Sequence, residues 1–439
     1  MSQPAPPYLC LMERILLIGS GGREHALAKA LVASSSCEKL WATPGNPGIE
    51  REAECVALNI ADHDAVARFC MKNDVTLVVI GPEQPLSEGL ADSLREENID
   101  VFGPDKVAAQ LESSKGFSKD FMARHHIPTA LFKRFANTQR TAAVDYARNH
   151  AVPVVIKYDG LAAGKGVVVA TTNAEAVIAV NEMFDGAFGT DGVVIEDFLV
   201  GHEASVFAIC DGRDYVTLAP AQDHKRIGDG DTGKNTGGMG AYAPAPLVTA
   251  DIMATIRARV IKPVIDGMRE EGSPFIGCLF CGLMIDGDDV HVVEFNARFG
   301  DPETQSVLGV LDADVAKLFA SAARGSIDAS AIRSTAIGHA CTVVLASFGY
   351  PDAYEKGLVI NGIDDAEQDP HVTVFHAGTA RGASDHAGEQ PLVTNGGRVL
   401  GVTAIADTLK NAVERAYDAT AKISYATKIH RTDIAAKAL

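Results

Sequence analysis

Glu294-Phe295-Asn296 closes the apolar run VHVVEFN, and RFGDPETQ follows at once with Arg298, Asp301 and Glu303. On a strand, side chains at i and i+2 share a face, so a carboxylate and an amide oxygen stand side by side. Hard oxygen donors in that pattern suit Mg²⁺ with bound phosphates. Alone, E-x-N reads equally well as a solvated strand edge. An arginine and a Gly-Asp-Pro-Glu turn beside it favour a site. Gly160-Leu-Ala-Ala-Gly164-Lys165-Gly166 is a second candidate. It has three residues between its first two glycines and a glycine after its lysine. A Walker A loop needs four and a Ser or Thr, so this is not one. VPVVIK precedes it and VVVA follows, so it joins two strands, with Lys157 on the first. Such a loop can fold over a triphosphate, its backbone N–H groups and Lys165 acting as donors. An ordinary hairpin loop is the alternative.

Gly19-Ser20-Gly21-Gly22 follows an apolar strand and opens a helix. Backbone amides there can bind an anion. A dinucleotide fingerprint would need glycine where Glu24 stands, so a smaller phosphate, or a tight turn that binds nothing, remains. Glu196-Asp197-Phe198-Leu199 runs from a strand toward Gly201-His202-Glu203. Its backbone could pair with an adenine and Glu203 could accept ribose hydroxyls; solvated acids at a strand end are the bland reading. His224 lies in AQDHKRIGDGDTG beside Asp223, Lys225 and Arg226. No G-x-S-x-G elbow accompanies it, so it reads as a loop hydrogen-bonder rather than a hydrolase base. Cys278 and Cys281 form one C-x-x-C inside FIGCLFCGLMI. A zinc site would want a second pair, so these read as buried thiols, and irregular cysteine spacing fits a reducing compartment.

These residues need elements to hold them. RILLI, KLWAT, TLVVIG and IDVFG are short β runs separated by helical patterns, including 64–73 and 86–97. Strand alternating with helix implies a doubly wound parallel sheet over 12–112. A helix at 114–126 follows, then a second α/β unit with a helix near 174–184, then antiparallel strands in GHEASVFAICDG and DYVTLAP. Residues 222–246, rich in Gly, Asp, Asn and Thr, read as a long loop, and long ordered loops are usually functional. A long helix over 249–271 leads to the C-x-x-C and E-x-N strands. The region beyond about 330, with a helix at 407–421, reads as a mixed α/β or antiparallel module.

Composition narrows the function. The chain has 439 residues, 47% hydrophobic and 22% charged, an ordinary globular mix for about two to four domains. Against 57 Asp and Glu stand 39 Lys and Arg, a net charge of −18. A duplex-binding protein needs a basic footprint, which is missing. An anionic ligand must be met by local positive charge inside an acidic body, which favours small phosphorylated metabolites over nucleic acid or membrane. No apolar stretch approaches the ~18 residues of a span. Residues 1–11 read as a Pro-rich tail, with no signal-peptide pattern and with Met12 as a candidate alternative start.

GSGGREHAL, PGNPG at 44–48, VVIGPE at 78–83, IKYDGLAAGKGVVVA, AQDHKRIGDGDTGKNTGGMGAY and EFNARFGDPETQ together resemble the glycinamide ribonucleotide synthetase family of the ATP-grasp superfamily. The resemblance runs from about residue 13 to the HRTDI segment. RFGDPETQ and DHKRIGDGDTG carry most of its specificity. It implies an α/β and α+β multidomain chain with an ATP-grasp fold: a tail at 1–11, an N-terminal Rossmann-like substrate domain at 12–112, an ATP-grasp region at 113–329 with a lid at about 133–200, and a C-terminal domain at 330–439. The implied reaction is ATP-dependent ligation of glycine to 5-phosphoribosylamine through glycyl phosphate. By motif, Lys115 and Lys157 hold ATP phosphates under the Gly164-Lys165-Gly166 loop. Glu196, Asp197 and Leu199 belong to the adenine side, and Glu203 to the ribose. Glu294 and Asn296 ligate Mg²⁺ or Mn²⁺. Asp223, Lys225 and Arg298 surround glycine and the acyl phosphate, with Lys165, Lys225 and Arg298 catalytic. The Gly21-Gly22 turn faces the phosphate of phosphoribosylamine, and Asp301 counts among the substrate-binding residues. Lys234 stands where the family pattern has proline, and Gly282 near where many ATP-grasp sites carry another carboxylate, with Asp286 beyond. A cytoplasmic monomer or weak dimer acting on small molecules is expected. A related ligase or carboxylase on a neighbouring purine intermediate is disfavoured by DHKRIGDGDTG. A non-catalytic nucleotide sensor is disfavoured by the retained Lys157, Lys165, Glu294, Asn296 and Arg298.

Overall fold

The computed structural model describes residues 12–162, 166–186, 189, 191–384, 388 and 390–439. The 1–11 tail and the expectations for Gly164 and Lys165 lie outside the described residues. Strands β1 (Glu13–Gly19), β2 (Cys37–Pro44), β3 (Glu54–Cys55), β4 (Leu77–Ile80) and β5 (Val101–Phe102) form a parallel sheet in the order β3-β2-β1-β4-β5. β1 is apolar on both faces. Ile15 and Leu17 enter one core cluster with Leu27, Ala28 and Leu31 of α1 (Gly22–Val32). Leu16 and Ile18 enter another with α2 (His63–Lys72) and α4 (Leu90–Glu96). Helices on both faces make the sheet doubly wound. The single helix expected at 86–97 is instead α3 (Glu83–Glu88) and α4, because Gly89 takes φ 92° and ends the first.

After α5 (Gln110–Ser113), α6 (Lys115–Arg124) starts at Ser114, whose hydroxyl accepts from the Phe117 N–H. A four-stranded antiparallel sheet follows. It runs β6 (Phe132–Ala136), β9 (Gly192–Asp197), β7 (Val154–Tyr158), β8 (Val167–Ala170), with α7 (Arg140–Asn149) and α8 (Asn173–Phe184) packed on it. Phe135, Ile156, Val193, Ile195 and Val180 belong to a core cluster of its own. β7 and β8 pair antiparallel, so the glycine-rich segment does join two strands.

The centre is an antiparallel sheet ordered β11 (Tyr215–Thr217), β10 (His202–Asp211), β16 (Ile276–Asp286), β17 (Asp289–Asn296). Between β11 and β16, residues 222–246 are not the simple loop expected. β13 (Arg226–Gly228) and β14 (Thr232–Asn235) form a hairpin. The flanking β12 (Gln222–Asp223) and β15 (Gly240–Ala243) pair with each other, and β15 pairs with β20 (His339–Ser347). The ladder partner lies far downstream, so the local composition held no sign of it. The helix expected at 249–271 is α9 (Ala250–Ile256), a π turn at Arg257–Ile261 and α10 (Lys262–Glu270). Pro263 in the first turn of α10 has no N–H to continue the ladder, and the register shifts there.

α11 (Glu303–Val310) and α12 (Val315–Ala323) follow, with the short ladder β18 (Asp312–Ala313) and β19 (Ile332–Ser334). The C-terminal sheet runs β12-β15-β20-β24-β21, where β21 is Val372–His376 and β24 is Arg398–Ala406. α13 (Ile363–Ala366), the ladder of β22 (Thr379–Arg381) with β23 (Leu392–Thr394), and α14 (Leu409–Lys422) surround it, and β25 (Lys428–Ile429) pairs with β20. Among the described residues no helix is long and apolar enough to cross a membrane.

Candidate active site

Glu196 near the end of β9 sits between two ammonium groups. Lys157 Nζ of β7 lies 3.0 Å from Oε1, and Lys119 Nζ of α6 lies 2.8 Å from Oε2. All three residues are buried. Lys157 also donates to the Val293 carbonyl at 3.0 Å, tying this sheet to β17, and Lys119 donates to Thr129 Oγ1 at 2.6 Å. Burial lowers Lys119 to about 8 against the pull of Glu196. Lys115, one turn before Lys119 on the same helix, donates to the Gly160 carbonyl at 3.0 Å, where the glycine-rich segment begins. Asp159 accepts from Ser114 Oγ and Gly116 N, both at 2.9 Å, and from Arg134 Nε at 3.0 Å. Two buried lysines on one carboxylate leave net positive charge, a receptor for an anion.

Glu294 and Asn296 lie two apart on β17, so they share a face. Burial would raise the Glu294 carboxyl, but Lys225, Lys157, Lys115 and Arg298, in that order, bring it below its ordinary value. Among the described residues neither side chain has a hydrogen-bond partner. Gly282 pairs with Glu294 across β16 and β17, and Asp286 faces Asp289 at the far hairpin end. The further carboxylate is thus absent from the position opposite Glu294. No group of three or more His, Cys, Asp or Glu among the described residues is placed to hold a metal. One ionised carboxylate and one amide oxygen fit a Mg²⁺ ion that keeps waters and takes substrate phosphates as its other ligands.

Lys225 Nζ lies 2.7 Å from Glu203 Oε2, so the structure joins two residues expected at different substrates. Burial would lower Lys225, but Glu203, Asp223 and Glu294 push it well up. Burial raises Asp223 to about 8, opposed by Lys225 and reinforced by Glu303. Glu303, itself raised by burial, accepts from Ser205 Oγ at 3.2 Å. His224 faces away from this cluster. Its Nε2 accepts from the Ala435 N–H at 3.3 Å, and burial, with Arg431 beside it, lowers it to about 4.

Arg298 reaches Glu112 Oε1 at 2.6 Å and Glu83 Oε2 at 3.3 Å, and donates to the Phe299 carbonyl at 3.1 Å. Burial would raise Glu83, yet Arg298 and Arg23 hold it at about 2; burial keeps Glu112 raised despite Arg298. At the Gly19–Gly22 turn, Glu24 Oε2 accepts from the Gly21 N–H at 2.6 Å, and Asp301 Oδ2 accepts from the Arg23 N–H at 3.3 Å. Arg398 of β24 lies 3.4 Å from Asp301 Oδ1. A Cβ at Gly21 or Gly22 would stand 3.6 or 3.8 Å from Asp301 Oδ2. The turn therefore lies beside Asp301, with the Gly21 and Arg23 amides already held by carboxylates.

Asp197 gives its N–H to the Leu131 carbonyl at 2.9 Å, and its carboxylate lies 3.1 Å from His150 Nε2. Phe198, Val200 and Leu131 are exposed there, an apolar edge beside Leu199. Lys234 contacts Asp352 at the surface at 2.7 Å. Cys278 and Cys281 are buried free thiols with pKa values raised by burial. Sequence reading missed Lys119, Glu112, Glu83 and Arg398. Only Lys119 carried a local signal, its i+4 spacing from Lys115 on one helix face.

Three family models match the chain: the phosphoribosylglycinamide synthetase N domain over residues 13–112, its ATP-grasp (A) domain over 113–304 and its C domain over 340–437. The phosphoribosylamine–glycine ligase of Brucella melitensis biotype 1 is 49% identical over 428 residues, covering 97% of this chain and 98% of that protein. That of Mesorhizobium japonicum is 50% identical over 422 residues, covering 96% and 97%. The crystal structure of the phosphoribosylamine–glycine ligase of Thermotoga maritima superposes with a TM-score of 0.78 at 32% identity, covering 96% of this chain and 100% of that one. With these matches spanning all three regions of the chain and about half of its residues identical to those of two relatives over nearly its whole length, the chain belongs to the phosphoribosylglycinamide synthetase family.

Proposed function

We infer that the chain is an ATP-dependent carbon–nitrogen ligase that joins glycine to 5-phospho-D-ribosylamine in purine biosynthesis, giving glycinamide ribonucleotide, ADP and phosphate. The observation that carries this reading is Glu294 and Asn296 on one face of β17, next to the Val293 carbonyl that takes Lys157 from the Lys119–Glu196–Lys157 cluster. Phosphoryl transfer needs charge neutralisation and in-line placement more than covalent help, and the lysines and arginine of this cleft supply the positive charge. The glycine carboxylate is already a nucleophile at neutral pH, so no base is needed for its attack on the γ-phosphorus. Glycyl phosphate forms as the bond to ADP breaks. The amine of phosphoribosylamine then attacks the acyl carbon, the C–O bond to phosphate breaks, and the amine's proton is lost.

Lys115 and Lys157 hold the ATP phosphates, and Gly164-Lys165-Gly166 covers them, with Lys165 donating to the transferring group. Glu196 fixes Lys157, while Asp197 and Leu199 offer backbone groups to adenine. Glu203 accepts the ribose hydroxyls and fixes Lys225. Asp223, Lys225 and Arg298 orient glycine and the acyl phosphate. Asp301 and the Gly21-Gly22 turn orient the phosphoribosylamine. Glu294 and Asn296 hold Mg²⁺ or Mn²⁺, which when bound neutralises phosphate charge. The unit divides at 12–112, 113–329 and 330–439, with a lid at about 133–200, and works in the cytoplasm as a monomer or weak dimer.

The test is ADP release from ATP and Mg²⁺ with glycine and freshly made phosphoribosylamine, each omitted in turn. Turnover that needs both, with a product of the mass of glycinamide ribonucleotide, is expected. Turnover with a different amine or carboxylate would refute the substrates. ATP binding without turnover would refute the enzyme.

A further inference from the structure

The β13–β14 hairpin lies directly after Lys225, and residues 431–437 hold it at several points. Arg431 is 1% exposed, and few charged side chains in the molecule are so enclosed. Its guanidinium forks onto Asp433, with Nε and an NH2 nitrogen each 2.7 Å from a carboxylate oxygen. The remaining nitrogen donates to Asp231 Oδ1 at 2.9 Å and to the Arg226 carbonyl at 3.1 Å. Asp433 in turn accepts from the Gly230 N–H at 2.8 Å, at the tip of the hairpin. Thr432 gives its N–H to Asp229 Oδ1 at 2.9 Å, and Lys437 pairs with Asp231. Asp231 adopts φ 54°, a left-handed conformation unfavourable for a residue with a Cβ, and these partners hold it there. Tyr417 of α14 anchors the segment from behind. Its hydroxyl donates to the Arg431 carbonyl and accepts from the Ile434 N–H, both at 3.0 Å.

The hold continues to the cleft. The Ala435 N–H meets His224, whose backbone pairs with Gly240 of β15. The Lys225 carbonyl between them accepts from the Thr236 N–H at 2.8 Å. Lys225 therefore leaves a backbone pinned on both sides, and its Nζ reaches Glu203 at 2.7 Å. A bidentate, enclosed guanidinium fixes geometry as well as charge. Tyr350 and Arg398 hold the other end of the same segment, through the Gly237 N–H at 3.0 Å and the Gly237 carbonyl at 2.7 Å.

We propose that residues 431–437 are a clamp that sets the position of Lys225 for glycine, with Arg431 as its positioning residue. The role assigned to Lys225 rests on the function proposed above; the clamp itself is a feature of contacts. Arg431 touches no substrate and acts through the Arg226 carbonyl and Asp231. Loss of the clamp therefore weakens glycine capture most, and reaches the nucleotide side only through the Lys225–Glu203 pair.

The test uses the full chain and two variants that attack the tie from opposite sides. Asp231→Asn removes the partner on the half-exposed hairpin, and Arg431→Lys keeps a charge without the fork. Each should raise KM for glycine about ten-fold, with kcat and KM for ATP each within about three-fold. The double variant should be no worse than the poorer single one, because both remove the same tie. An unchanged KM for glycine, a fall in kcat alone, a matching change in KM for ATP, or additive effects would overturn the proposal. Hydrogen exchange separates it from the functional reading. In Asp231→Asn, faster exchange at the amides of 226–236 with β10 and β16 unchanged supports the clamp; unchanged or uniformly faster exchange overturns it. Absence of glycine-dependent ADP release in the unmodified protein would overturn the functional reading and leave the exchange result standing.

Discussion

The four-stranded sheet of 132–197 and the C-terminal sheet both reach the candidate site, but they are attached to it differently. The first has its own apolar cluster. It meets the site through polar contacts such as Lys157 to the Val293 carbonyl, Lys115 to the Gly160 carbonyl and Lys119 to Glu196. The second takes β12 and β15 from the middle of the chain into its own ladder, and Asp223 lies on β12. These contacts are few and can be remade with water or an anionic ligand, whereas a ladder cannot be parted without unpairing its strands. Under the proposed function, the sheet of 132–197 would move against the rest more readily than the C-terminal sheet, as a lid that opens for ADP to leave would require.

The comparison can be tested at its hardest point first. Glu196→Ala leaves Lys119 and Lys157 buried without their shared anion, and losing one member of a buried ion group costs about 3–5 kcal/mol. Hydrogen exchange should show the loss in β6–β9 and not in β20 or β24; a loss spread over both sheets would mean that they do not behave independently. Next, Lys165→Ala should lower kcat by about 10²–10³, a loss of ~3–4 kcal/mol, with ADP affinity nearly unchanged by calorimetry. A rate equal to that of the unmodified protein would remove the glycine-rich segment from the chemistry. Glu294→Gln should then raise the Mg²⁺ needed for half-maximal turnover about ten-fold, since one charged ligand is lost. An unchanged metal titration would take Glu294 out of the site.

The smallest effect concerns pH. Burial raises Asp223 to about 8, so its neutral form is favoured in the folded, ligand-free protein. The stabilisation from this group is full below the ordinary carboxylate range and is lost as pH rises through about 8. Asp223→Asn should flatten that part of the thermal stability profile between pH 4 and 8, measured by calorimetry without substrates. An identical profile would show that Asp223 is ionised throughout.

The doubly wound sheet was legible because β1 is a run of apolar residues with glycines where the chain turns into α1. The strand–loop–strand reading of 154–170 held for a similar local reason. The four strands within 222–246 were not legible. β12 is two residues long, and β15 finds its partner in β20, so the information lies in a distant segment. The same holds for Arg298: its partners Glu83 and Glu112 come from other parts of the chain, and although Glu83 closes the VVIGPE motif, nothing local ties either residue to Arg298. Gly89 was visible in the sequence, yet only its left-handed φ turned one helix into two.

The weave of β12 and β15 into the C-terminal sheet also orders events during synthesis. A nascent chain that has cleared the ribosome to residue 200 holds the strands and helices of the first two regions. Its segment at 222–246, once emerged, has no ladder partner until β20 follows, and no clamp until Arg431 appears. Such a chain holds every strand of the sheet of 132–197 well before the ladder that carries Asp223 can close. The order of translation therefore leaves the 222–246 segment without its Arg431 contacts until nearly the whole polypeptide has been made.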